Sequence, residues 1–91
     1  MLTVYKFPFE INDHFIIAMP EGAKILEVNT QKEVPCIWAL INSEKPIEKR
    51  HFRLSGTGDS MDSLTMEDLF HVGTFQMVDG DIVFHLFEII E

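Results

Sequence analysis

The chain has 91 residues, 46% of them hydrophobic, with eight phenylalanines and a formal net charge of −8. That length suits one domain with a limited core, and the apolar content excludes a disordered chain. Fifteen acidic against seven basic residues exclude a general nucleic-acid binder, which needs Lys and Arg to neutralise phosphates.

From the start the hydrophobic period is two. Tyr5, Phe7 and Phe9 share one face of a first strand, and Pro8 marks it as an edge strand or one that ends there. Asn12-Asp13 signals a turn, and His14 to Met19 forms a second strand. Pro20-Glu21-Gly22 is a tight turn. A third strand runs over about residues 23–31, with Leu26 and Val28 on one face and Glu27, Asn29 and Gln31 on the other. Lys32-Glu33 is the expected hairpin tip. The following run, Pro35 to Ile41, is apolar on both faces, which predicts a central strand or one covered by a second copy. Trp38 shares its face with Cys36 and Leu40 and is expected in the core.

Asn42 to Glu48 is a polar loop. Strand five follows, with Phe52 and Leu54 on one face and His51, Arg53 and Ser55 on the other. It exits through Gly56-Thr57-Gly58 into an acidic segment, residues 59–68. That segment has room for one helical turn near 60–69 capped by Ser63, and its length suits a ligand lid. Strand six covers about 69–78, with Gly73 marking a bulge or a close approach. Asp79-Gly80 is a strong hairpin signal, and strand seven spans Ile82 to Ile89. The expectation is an all-β fold, a compact antiparallel sandwich or small barrel of about seven strands over residues 1–91. The apolar fourth and seventh strands favour a homo-oligomer.

Cys36 is the single cysteine, so no internal disulfide forms, and its apolar context predicts a packed thiol. The N-terminus shows no secretory pattern and the longest apolar stretch, Phe15 to Met19, is too short for a bilayer. The expectation is therefore cytosolic and off the membrane.

Four of the seven basic residues, Lys45, Lys49, Arg50 and Arg53, cluster before the Gly-Thr-Gly turn, whereas residues 59–91 hold eight acids and no Lys or Arg. The candidate binding set is Arg50, His51, Arg53, Ser55, Gly56, Thr57 and Gly58, suited to a carboxylate or phosphate. Parity puts Arg50 and Arg53 on opposite faces, so the candidate centres on Arg53. The turn lacks the third glycine of a dinucleotide fingerprint and the Lys-Ser/Thr ending of a P-loop. No metal is expected: His85 and Glu88 project from opposite faces, and no spacing gathers His14, Asp59, Asp62 and His71. No cofactor is expected either. No Ser or Cys carries a nucleophile motif, so the residues favour a non-enzyme.

Met19-Pro20-Glu21-Gly22-Ala23-Lys24-Ile25-Leu26, Cys36 to Leu40, Arg50 to Gly58, Gly73-Thr74-Phe75 and Phe84 to Glu88 together resemble a family of short phage- and prophage-encoded proteins of unknown function. The chain departs from that pattern at Asp59, where the family has His, and at Phe84, where it has Trp. The resemblance implies a viral accessory protein acting in the host cytoplasm. The leading expectation is thus a small phage protein that binds, capturing a host protein or a small anionic, nucleotide-type signal as a counter-defence. A minor virion or assembly protein is the alternative. A small nucleotide hydrolase built on Asp59, His51 and His71 comes third.

Overall fold

A computed structural model describes residues 1–90. Seven strands alternate between two antiparallel sheets: β1 (Leu2–Pro8), β2 (His14–Pro20), β3 (Lys24–Gln31), β4 (Val34–Asn42), β5 (Ile47–Gly56), β6 (Leu69–Met77) and β7 (Ile82–Ile89). The smaller sheet has the order β1-β4-β3 and the larger β2-β5-β7-β6. Of the two architectures the sequence allows, this is the sandwich. The Cα envelope of 40 × 32 × 16 Å has the thickness of two stacked sheets, and four edge strands remain unpaired along one side.

Alternation fills the space between the sheets. Ile37, Ala39 and Ile41 from β4 meet Phe52 and Leu54 from β5, Phe75 from β6 and Leu86 from β7, all buried. Phenylalanines stack through this layer. Phe9 lies parallel to Phe15 at 4.6 Å, Phe15 to Phe52 at 5.4 Å, and Phe75 meets Phe9 edge-on at 6.0 Å. Offset-stacked and edge-on pairs are the arrangements that the ring quadrupole favours, worth about 1 kcal/mol each beyond burial. Among the described residues no helix is long and apolar enough to cross a membrane.

Pro8 ends an edge strand, Cys36 is buried, and Lys32 and Glu33 take the left-handed tip of the β3–β4 hairpin with φ of +51° and +66°. Gly73 serves both roles that the sequence offered. It ends a register shift after His71, and a Cβ there would lie 2.7 Å from Val28 Cγ1, so its lack of a side chain lets β6 approach β3.

Four local expectations are corrected. A bulge between Ile25 and Glu27 interrupts the alternation of β3, so Ile25, not Leu26, accompanies Val28 inward and Leu26 stays half exposed. Trp38 lies on the outer face of the small sheet, half-buried between Lys6 and Glu27, because core parity on β4 belongs to Ile37 and Ala39. The one helical turn is a 3₁₀ segment, Met66–Asp68, capped by Thr65 rather than Ser63, with the Thr65 amide and hydroxyl both donating to the Asp68 carboxylate. The last hairpin turns one residue early: Val78 and Asp79 are left-handed at +54° and +53°, with Gly80 following at +91°.

Candidate functional site

The register of β5 decides what each of its side chains meets. Phe52 and Leu54 enter the core, so Arg50 also points inward and His51, Arg53 and Ser55 point out. Arg50 sits at the end of the core opposite Glu88. Its Nε donates to Glu88 Oε2 at 2.6 Å and Nη2 to Oε1 at 2.7 Å, while Nη1 donates to the Ala23 carbonyl. Hydrogen bonding to Glu88 raises the Arg50 pKa above its ordinary value, outweighing the opposite effect of burial. This arginine closes the sandwich and has its counter-ion. It lies on the opposite face of β5 from Arg53, and with Glu88 it lines the cleft that His51 also borders.

Arg53 differs in every respect. Its direct cross-strand neighbours form one row over all four strands of the large sheet, His14–Arg53–Phe87–His71. Its Nη2 donates to the Ser60 carbonyl at 3.3 Å, and its Nε is enclosed without any partner. Among the described residues no carboxylate lies within ion-pair reach of it, so it is the chain's one unneutralised arginine. The 59–68 segment contributes that Ser60 carbonyl, and its Met61 and Leu64 are half-buried.

The Gly-Thr-Gly turn closes on itself. The Asp59 amide donates to the Gly56 carbonyl at 3.0 Å, and the Gly56 amide donates to Asp59 Oδ2 at 3.1 Å. A Cβ on Gly56 would stand 2.8 Å from that carboxylate oxygen, and Gly58 supplies φ of +89°. The chain's own carboxylate therefore takes the anion position that the turn offers. Ser55 is buried and its hydroxyl donates to the Gly56 carbonyl. Of the turn residues, Thr57 reaches outward: its hydroxyl lies 2.7 Å from His85 Nε2, His85 Nδ1 lies 3.1 Å from Thr74 Oγ1, and Thr74 Oγ1 lies 3.3 Å from His71 Nε2. His85 is thus half-buried and hydrogen-bonded through both ring nitrogens.

On the same outer face His51 Nδ1 and His14 Nε2 are 3.3 Å apart, with the rings stacked at 5.4 Å. All four histidines of the chain therefore share one sheet face with Arg53. Phe87 and Thr74 escaped sequence reasoning, as did the pairing of His14 with His51 and of Thr57 with His85, since strand register alone brings them together. Next to His14 and His51, where β5 extends past its pairing with β7, an open cleft of about 740 Å³ is lined by Lys49, Leu64, Ile89 and Ile90 among others. The proposed hydrolase trio does not gather. Asp59 is held in its turn, His51 and His71 are separated by the intervening strand β7, and no group of three His, Cys, Asp or Glu converges among the described residues.

Fold and face together define a small two-sheet β-sandwich that presents histidines, an arginine and a phenylalanine ring on one open sheet. The chain belongs to the family described as Domain of unknown function (DUF7352), whose model matches residues 1–91. A search of the curated proteins and of the solved structures returns no match.

Proposed function

We propose that the protein works by binding rather than catalysis, and that the outer face of the large sheet holds a small anionic ligand through Arg53. The observation that carries this reading is an arginine without a counter-ion among the described residues, one nitrogen enclosed and unpartnered, in a protein of net charge −8. A fork of donors lacking an acceptor suits a carboxylate or phosphate. Phe87, directly across the strand, adds an apolar ring for the body that carries the charge. The surrounding acidity disfavours long polyanions, so a compact nucleotide-type signal fits better than nucleic acid. With the phage-family resemblance, the reading is an accessory protein that sequesters such a signal, or a host protein bearing the same group, in the host cytoplasm.

Thermal melting against phosphate and a panel of cyclic and adenine nucleotides tests it. A ligand present at tenfold its Kd adds about 1.4 kcal/mol and raises Tm by roughly 5 to 10 °C in a domain this size. Arg53→Gln is expected to abolish the rise. Flat melting curves up to about millimolar ligand, or an equal rise in the variant, overturn the small-ligand reading.

A further inference from the structure

The geometry points to His14 and His51 as half of a zinc site that a second copy of the chain completes. A tetrahedral Zn²⁺ with Zn–N near 2.05 Å holds two imidazole nitrogens about 3.3 to 3.4 Å apart. His14 Nε2 and His51 Nδ1 are already 3.3 Å apart. Both side chains are exposed, so the stacked rings are free to turn about their Cβ–Cγ bonds, as shared coordination requires. The donating imidazole of the present contact changes tautomer as the metal enters, its proton passing through solvent to its other ring nitrogen, so both ligands stay neutral. The strands hold the two residues as diagonal neighbours on one face, since β2 and β5 are paired from His14↔Arg53 to Ile16↔His51 and beyond.

Two ligands leave a tetrahedral ion half coordinated, and no third His, Cys, Asp or Glu converges among the described residues. A two-fold axis through the metal supplies the missing pair, because an isologous contact presents the same residues from both sides. The position suits that contact. β2 is an edge strand, and Ile16, half exposed, stands on the same face between the strand edge and His51. A divalent cation also offsets the repulsion between two chains of charge −8. Borderline-soft Zn²⁺ suits paired imidazoles, whereas Mg²⁺ and Ca²⁺ require oxygen.

The site borders Arg53, the cross-strand neighbour of His14, but draws no ligand from it, and its readout is zinc and mass rather than anion binding. The untagged full chain is passed through size exclusion with light scattering, with zinc chloride and with a chelator, and its zinc is counted by calorimetry. The expected result is a doubled mass with zinc, reversed by chelator, at one zinc per two chains. His14→Ala and His51→Ala, both at exposed positions and checked for an unchanged circular dichroism spectrum, are each expected to stay monomeric and to lose at least about tenfold in zinc affinity. His71→Ala, separated from His51 by β7, is expected to dimerise as the parent does. A mass unchanged by zinc, one zinc per chain, or zinc affinity retained in the His14 and His51 variants overturns the inference.

Discussion

Replacing Glu88 by Gln tests whether Arg50 belongs to the scaffold. The substitution keeps shape and removes the charge, setting an amide donor against a guanidinium nitrogen in place of one of two short acceptor contacts of 2.6 and 2.7 Å. Hydrogen bonds to charged groups contribute about 1.5 to 3 kcal/mol, and stranding one partner of a fully buried pair costs about 3 to 5. Here the two side chains are 16% and 18% exposed, so water recovers part of the loss and the expected cost is about 2 kcal/mol. For a domain of this size that lowers Tm by roughly 10 °C, readable by circular dichroism alongside a urea midpoint. Arg50→Met combined with Glu88→Leu leaves no stranded charge and is expected to recover most of the loss. The raised pKa of Arg50 means that its contribution is fully present below the ordinary arginine value and is lost only as pH rises through the higher one. The Arg50 end therefore adds no pH dependence near neutrality. A Glu88→Gln variant within about 0.5 kcal/mol of the parent, or a double variant equal to the sum of the single losses, refutes the reasoning.

Two further substitutions probe backbone requirements. Gly73→Ala drives a Cβ to 2.7 Å from Val28 Cγ1 and is expected to cost about 1 to 3 kcal/mol in urea denaturation; adding Val28→Ala frees the space, so the pair costs less than the sum. Val78 is β-branched at φ of +54°, and Val78→Asn is expected to raise Tm by a few degrees, since Asn tolerates that conformation better and the side chain is exposed.

Much of the fold was legible because a strand declares itself locally. Alternation marked seven strands, Pro8 an edge, Gly73 a close approach, and Lys32-Glu33 a tip. The errors in side-chain direction fell where a bulge breaks the alternation or where both faces of a strand are apolar. The β3 bulge sent Ile25 inward in place of Leu26, and the parity of β4 sent Trp38 out although its composition suits a core.

Parity within β5 was enough to part Arg50 from Arg53, because side-chain direction follows from the chain's own pleat. What each arginine then meets belongs to other strands. Glu88, 38 residues away, neutralises Arg50, and nothing in the described chain neutralises Arg53. The Gly-Thr-Gly turn read as an open anion cradle until its own Asp59 was placed against the Gly56 amide. His14 and His51 stand 37 residues apart in sequence and 3.3 Å apart in space. Sequence by itself determined which residues form strands and, where no bulge intervenes, which of them share a face. Only the tertiary structure decided which strands lie side by side and in what register. Pairing across a sheet depends on long-range hydrogen bonds and the shared core, and no local pattern encodes them.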